Sequence, residues 1–101
     1  MRMLLHARLP HEPFNAAVKD GTAGKKLQRI LEELKPEAAY FTEYDGRRSA
    51  ILIVNIDEPS KIPLFSEPFF LNFNADCHIH IVMGPEDLAK AGLEGLGKKW
   101  A

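Results

Sequence analysis

The sequence predicts a small α+β protein in which helices cover one face of an antiparallel sheet. Four segments alternate apolar and polar residues as strands do, and the segments between them place apolar residues at helical spacing. A further observation is Asp45-Gly46, a dipeptide typical of the tight turn between two antiparallel strands. With 101 residues, the chain is long enough for one domain, which we assign to residues 1–101.

The first predicted strand is RMLLHARL, which alternates between a drier and a more polar face. PFNAAVKDGTAGKKLQRILEELKP follows as helix, with Pro13 in its first turn and Pro36 after its end. The apolar stripe from Leu27 to Leu34 lies nearly opposite to Phe14 and Val18 at helical spacing. We therefore expect a break near Gly21 and Gly24.

The middle of the chain predicts a hairpin and a further helix. The two strands are AAYFTEY and the run ending in AILIVNI, which flank Asp45-Gly46. PSKIPLFSEPFFLNF has Ser60 as a candidate cap and apolar residues at helical spacing, but Pro63 and Pro68 predict that the helix is short or kinked.

The C-terminal part predicts a fourth strand and a helical arm. CHIHIVM is the strand, and Gly84-Pro85 ends it before an arm that covers residues 85–101. An apolar stripe along the arm predicts that it docks on the rest of the protein through Leu93, Leu96 and Trp100.

The order β-α-β-β-α-β is that of the ferredoxin-like split βαβ arrangement. Its helices cover one face of the sheet. The other face carries Leu4, Val82 and one side of ILIVNI, and an uncovered apolar surface of that size is uncommon on a soluble monomer. We therefore expect a homodimer, with the second subunit on the open face.

Composition excludes several partners. The formal net charge is −1, and no basic tail or long run of one sign could follow a phosphate backbone, so we expect no nucleic acid partner. The apolar stretch from Met3 to Leu9 contains His6 and Arg8, and it is too short and too polar for a signal peptide or a membrane span. A single cysteine allows no internal disulfide, which agrees with a cytoplasmic location.

The element order, the short length and the mixed polarity of the second sheet face resemble the dimeric α+β barrel superfamily. In that superfamily two ferredoxin-like sheets pack face to face around a pocket. The resemblance implies no cofactor and a range of activities that includes monooxygenases, lactone isomerases, cyclases and ligand sensors.

Three blocks, KPEAAYF, DEPSKIPLFSEPFF and VMGPEDL, also resemble small uncharacterised bacterial proteins, some labelled pantothenate synthetase. The chain has no nucleotide-binding signature and no room for a nucleotide-binding domain, so we do not expect that activity.

The candidate site centres on DCHIHIV. Strand alternation sends Cys77 to the core face and His78 and His80 to the other face, so a Cys77–His78 nucleophilic pair is not expected. If the fourth strand pairs with the first, the two histidines lie across from His6 and Arg8 on the pocket face. Further candidates from the second and third strands are Tyr40 or Tyr44, and Asn55.

Three hypotheses describe this cluster. In the first, the histidines are ordinary strand residues or hydrogen-bonded groups at a dimer seam. In the second, His78 or His80 acts as a catalytic acid or base, while Arg8 positions an anionic substrate. In the third, His6, His78 and His80 bind a metal ion, although a lone His-x-His is a weak signal.

The function predicted from these observations is that of a homodimer that binds a small organic, anionic molecule between its sheets. As an enzyme it would be a cofactor-free isomerase or cyclase with His78 and His80 as catalytic residues. His6, Arg8, Tyr40 and Asn55 would then contact the substrate. The alternatives are a non-catalytic ligand-binding or scaffold protein and a histidine-ligated metal-binding protein.

Overall fold

The computed structural model describes residues 1–101 and contains one four-stranded sheet and five α-helices. The strands are β1 (Arg2–Leu9), β2 (Ala38–Tyr44), β3 (Arg47–Asn55) and β4 (Asp76–Ile81). The helices are α1 (His11–Lys19), α2 (Ala23–Leu34), α3 (Ile62–Phe73), α4 (Pro85–Lys90) and α5 (Leu93–Lys99). A single 3₁₀ turn, Pro59–Lys61, leads into α3. The predicted alternation of strand and helix is therefore confirmed.

The sheet has the strand order β2-β3-β1-β4, and every neighbouring pair is antiparallel. β2 and β3 form the predicted hairpin, in which Tyr44 pairs with Arg47. Both turn residues have positive φ, 53° at Asp45 and 76° at Gly46, as a tight two-residue turn requires. β1 and β3 are central, so their side chains have neighbours on both sides.

One face of the sheet carries the hydrophobic core. β1 and β3 alternate along their lengths, and their fully buried side chains pack with those of α1, α2 and α3 in one cluster. From the two strands the cluster takes Met3, Leu5, Ala7, Leu9, Ala50, Leu52 and Val54. Cys77 and Ile79 of β4 pack against the same cluster, as strand alternation predicts.

A break separates α1 from α2, as predicted. Gly21 has a φ of 81°, and the backbone N–H of Thr22 donates to Asp20 Oδ1 at 2.9 Å. Because the Asp20 side chain satisfies a donor that a continuous helix would use otherwise, the chain turns here. Gly24 lies in the first turn of α2, so only Gly21 belongs to the break.

The apolar stripes of the first two helices are confirmed with one exception. Ile30 and Leu34 of α2 are buried, and the chain leaves α2 through Lys35, which has a φ of 46°. Phe14 of α1 is buried with Ala17, whereas Val18 is 51% exposed. Val18 therefore lies on the same helix as Phe14 without sharing its burial.

α3 is longer than its prolines predict. It runs for 12 residues, with Pro63 in its first turn and Pro68 inside it. Phe65, Phe69 and Phe73 pack into the core, and their burial offsets the hydrogen bond that Pro68 cannot donate. Ser60 makes no cap, because its hydroxyl donates to Glu58 Oε1 at 2.8 Å.

The second sheet face, which we call the open face, has no helix on it. Leu4, Ile51 and Ile53 lie side by side there and are only partly buried. Val82, just after β4, is also partly buried. The open face therefore combines a partly exposed apolar surface with the histidines described below.

The C-terminal arm, residues 85–101, extends away from the sheet. Every residue of the arm is exposed, including Leu93, Leu96 and Trp100. The molecule measures 59 × 28 × 20 Å, whereas its longest strand spans only about 30 Å. The stripe of the arm is therefore exposed in the single chain, and its predicted docking stays a prediction. No helix of the chain has the length and apolar character needed to cross a membrane.

Phe14 and Val18 form a matched pair for testing the core. Phe14 is 7% exposed, and its ring stacks 5.1 Å from that of Phe73, so Phe14→Ala should lower the free energy of unfolding by about 3–5 kcal/mol. Val18→Ala on the same helix should change it by less than about 0.5 kcal/mol. Urea denaturation followed by circular dichroism measures both, and equal losses would contradict the assignment of the core.

Candidate functional site

One row of side chains crosses the open face on all four strands. In this row Tyr40 pairs with Ile51, Ile51 with His6, and His6 with His78. The rings of His6 and His78 lie 6.3 Å apart, centroid to centroid. The predicted meeting of the first and fourth strands at the histidines is therefore confirmed.

Tyr44 completes the cluster from a different row. Its ring meets His6 edge to face at a centroid distance of 5.2 Å. Since β3 lies between β2 and β1, this contact must pass above β3. Tyr44 is opposite Arg47, and His6 is opposite Ile51, so the residue beneath the contact is Ser49. A small residue at this position leaves the space that the contact requires.

Arg8 lies one row from His6 on the same face of β1. Its Nη2 atom is 3.9 Å from Oδ2 of Asp45 in the hairpin turn. Across the sheet it pairs with Asp76 of β4 in the strand register. The guanidinium group is therefore oriented toward the hairpin end of the open face, and it is only partly exposed.

Three buried polar atoms in this region have no hydrogen-bond partner in the chain. They are His6 Nε2, Arg8 Nε and Ser49 Oγ. Ser49 is only 1% exposed. A buried donor or acceptor without a partner costs about 1–3 kcal/mol, so a group outside the single chain is expected to complete these bonds. The three atoms belong to neighbouring residues, so the missing hydrogen-bond partners are all needed in one small region.

The pKa of His6 lies below its ordinary value of 6.5. Burial of the imidazole is the main cause, followed by the charges of His78, Arg8 and His80. All four causes disfavour the imidazolium form. His6 is therefore held neutral at pH 7 and can accept a proton or a hydrogen bond through one ring nitrogen.

Several predicted site residues lie apart from this cluster. His80 faces Leu4 rather than Arg8, so it lies one row beyond His78. Tyr40 shares the row of His6 but lies two strands away, a separation of about 10 Å.

Asn55 is further away still. It faces Arg2 at the far end of the sheet, about 13 Å along the strand from Ile51, and its Oδ1 accepts a hydrogen bond from the N-terminal amine at 2.7 Å. Asn55 therefore shares the open face with His6 without meeting it, because strand alternation fixes a face and leaves the position along the strand open.

Cys77 is on the opposite face, as predicted. Burial, with a further contribution from Asp76, raises the pKa of its thiol to about 11. A nucleophilic cysteine needs the thiolate form, so the environment of Cys77 disfavours nucleophilic chemistry. Cys77 is a core residue.

The metal hypothesis requires several ligands that converge on one point. No group of three or more His, Cys, Asp or Glu side chains in the chain has this arrangement. His6 and His78 are neighbours in one row, but His80 is directed at the next row beside Leu4. The three imidazoles therefore occupy two rows of the sheet and do not form a common ligand set.

The sequence pattern missed Ser49 and Asp45 as members of the site. Asp45 is the first residue of the Asp45-Gly46 turn, and Ser49 follows the turn in β3. The register that follows from a two-residue turn places Ser49 three residues after the turn, on the face of Tyr44. That count is the signal that could have identified Ser49.

A well-formed concavity of the single chain lies elsewhere. It is a groove of about 740 Å³ between α2 and α3, on the helical side of the molecule. The open face has no comparable cavity, so a pocket around His6 requires a second body to enclose it.

Comparison with known proteins adds no family or function. No protein-family model matches the chain, and no curated protein matches it.

The pKa of His6 can be measured directly. We expect ring-proton NMR titration to give a value below 6.5, and His78→Ala to raise it by removing a positive charge and admitting water. His11→Ala, at an exposed position at the start of α1, serves as the control and should leave the pKa of His6 unchanged. A His6 pKa at or above 6.5, or one insensitive to His78→Ala, would contradict the described environment.

The same shift has a consequence for stability. The pKa of His6 is lower in the folded chain than in the unfolded one. The contribution of neutral His6 to the free energy of unfolding is therefore complete above about pH 6.5. It is lost as pH falls through the folded-state pKa. Urea denaturation measures the free energy of unfolding at pH 7 and at pH 5. The decrease between the two pH values should therefore be smaller in His6→Ala than in the original protein.

Proposed function

We propose that two copies of this protein pack open face to open face and enclose a pocket that binds a small organic anion. The observation that supports this most directly is the set of unpartnered buried atoms at His6, Arg8 and Ser49. Once the ring of Tyr44 moves aside, a ligand with several oxygen atoms would reach and satisfy all three, because Arg8 donates and Ser49 and His6 can each donate or accept.

The strand order supports association through the open face. The order β2-β3-β1-β4 with two helical crossovers agrees with a ferredoxin-like arrangement. Leu4, Ile51 and Ile53 form an apolar patch beside the histidine row. Two such sheets would pack about 10 Å apart, as in a dimeric α+β barrel, and would remove both patches from water.

The charge of the site supports an anionic ligand. Arg8 contributes a guanidinium group whose fork geometry suits a carboxylate or a phosphate. Asp45 lies only 3.9 Å from Arg8 Nη2, and its carboxylate is largely exposed, so it orients the guanidinium group without occupying all of its donors. Removal from water between two sheets would strengthen the attraction to the ligand.

Acid-base catalysis is the extension of this proposal. Neutral His6 lies at the base of the site, and His78 is exposed beside it at 6.3 Å. In an isomerisation, one imidazole removes a proton from a carbon next to the bound anion's carbonyl group, and the same proton returns to a neighbouring atom. This step consumes no co-reactant. His78 is the proposed base, and His80 would contact the far end of the ligand.

The dimer can be tested through the apolar patch. Light scattering of the protein at micromolar concentration should give twice the chain mass of 11.4 kDa. Leu4→Asp should give the single-chain mass, because it places a charge in the proposed seam. Val18→Asp changes an exposed residue outside the patch and should leave the mass doubled. A single-chain mass for the original protein would contradict the enclosed pocket.

Arg8 provides the test of ligand class. A thermal-shift screen with small carboxylates and phosphate esters should find compounds that raise the melting temperature, and Arg8→Ala should weaken their binding about tenfold to a hundredfold. Arg2→Ala is the matched control, since Arg2 lies on the same face of β1 and pairs with Glu37. It should not change binding.

The outcome of this screen also separates a ligand-binding protein from a scaffold. If no anion stabilises the protein although the dimer forms, the seam is filled by side chains and the non-catalytic scaffold is correct. If anions bind equally well to Arg8→Ala and Arg2→Ala, the proposed position of the ligand is wrong.

A further inference from the structure

Ser49 is buried on a face of the sheet that no helix covers. The other open-face residues of β3 beside it are exposed or partly buried, as at Arg47, Ile51 and Ile53, whereas Ser49 is only 1% exposed. An uncovered face buries so small a side chain only when longer side chains from the neighbouring strands lie over it. The burial of Ser49 therefore requires a cover that belongs to the open face itself.

The register of the sheet places the ring of Tyr44 over Ser49. On β2 Tyr44 lies two residues after Thr42, which pairs with Ser49. On β1 His6 lies two residues before Arg8, which pairs with Ser49 from the other side. The contact between Tyr44 and His6, at 5.2 Å between ring centroids, therefore crosses β3 diagonally with Ser49 at its midpoint. The atoms without hydrogen-bond partners, on His6, Arg8 and Ser49, thus surround one aromatic ring.

Tyr44 is free to leave this position. It is the last residue of β2, which is an edge strand of the sheet, and it is 53% exposed. Because no strand lies beyond β2, a change of rotamer would carry the ring away from β3 and into solvent. Changes of this kind are fast in exposed side chains and need no movement of the backbone. The strands that carry His6 and Ser49, in contrast, are held in place as the central pair of the sheet.

We propose that Tyr44 is the gate of the anion site: its ring closes the site in the unliganded protein and turns toward the edge of the sheet when an anion enters. The inference rests on the pocket proposed above and adds the step that controls access to it. An entering anion replaces the ring over Ser49 and accepts hydrogen bonds from groups that have no partner in the closed form. Binding thus exchanges one aromatic contact for several hydrogen bonds.

The gate lowers the apparent affinity for any anion. Only the open form binds, so the apparent dissociation constant rises in inverse proportion to the open fraction. An edge-to-face contact between two aromatic rings favours the closed form by about twofold to tenfold. Removal of the ring should therefore tighten anion binding by about threefold to tenfold.

Proton NMR reports the position of the ring directly. In the closed form the ring protons of Tyr44 and His6 are close enough to give a nuclear Overhauser effect. Inorganic phosphate and acetate are the probes, each added at constant pH and ionic strength while the ring-proton shifts of His6 report binding. We expect the Overhauser effect in the free protein and its loss as either anion approaches saturation.

Three variants isolate the contribution of the ring. Tyr44→Ala removes the ring and should lower the dissociation constant for phosphate about threefold to tenfold. Tyr44→Phe keeps the ring without its hydroxyl group and should bind phosphate as the original protein does. Phe41→Ala is the matched control and should leave the dissociation constant unchanged, because Phe41 is 51% exposed on the same strand but faces the helical side. Circular dichroism should show that all three variants fold, since both positions are more than half exposed.

The outcomes separate the gate from the pocket. Loss of the Overhauser effect on binding, with tighter binding to Tyr44→Ala, supports the gate, and so does binding that occurs in Tyr44→Ala alone. An Overhauser effect that persists at saturation overturns the gate and leaves the pocket standing. Weaker binding to Tyr44→Ala also overturns the gate, because the ring would then be a contact of the bound anion. If neither anion shifts the ring protons of His6 in any variant, the pocket itself is wrong, and the gate with it.

Discussion

The structure depends on the alternation of β1, the central strand that pairs with both β3 and β4. Leu5 and Ala7 are fully buried beneath the helices, and His6 between them points to the open face. A slip of one residue in register would place the histidine and arginine in the core and the apolar residues outside. The same constraint that forms the core therefore also gathers the polar groups on the opposite face.

The candidate site follows from that constraint together with one small side chain. Ser49 occupies little space on β3, so the side chains of Tyr44 on β2 and Arg8 on β1 can extend over it from either side. The ring of Tyr44 thereby contacts His6. In the same region Ser49 Oγ and His6 Nε2 are buried without hydrogen-bond partners. A single chain thus contains a polar cluster that is desolvated but unsatisfied, which is the usual condition of a site that awaits a ligand, water or a partner surface.

The two sides of the molecule are incomplete in different ways. The open face has an apolar patch beside polar groups, and the helical side has a charged groove while the arm leaves its apolar stripe exposed. A chain of this size buries a modest fraction of its surface, so association would contribute substantially to its stability. The helix-covered core, in contrast, is closed and needs nothing further: Leu5, Leu52, Phe69 and Phe73 are fully enclosed.

The sequence by itself determined the elements, the hairpin and the two faces of each strand. Alternation in β1 and β4 was sufficient to place Cys77 in the core and His78 opposite it, because side-chain direction in a strand is a local property. The break at Gly21 followed from helical phase for the same reason. Helical phase alone does not give the burial of Phe14 and the exposure of Val18, because both depend on how the neighbouring elements pack against α1.

Only the tertiary structure decided which polar residues meet. Tyr44 rather than Tyr40 contacts His6, His80 faces Leu4, and Asn55 lies at the distant end of the sheet. These relations depend on register between strands that are far apart in sequence, and no local pattern specifies it. The position of the arm could not be predicted from the sequence for a related reason. An amphipathic stripe indicates that a surface will be covered, but it does not indicate whether the covering surface belongs to the same chain.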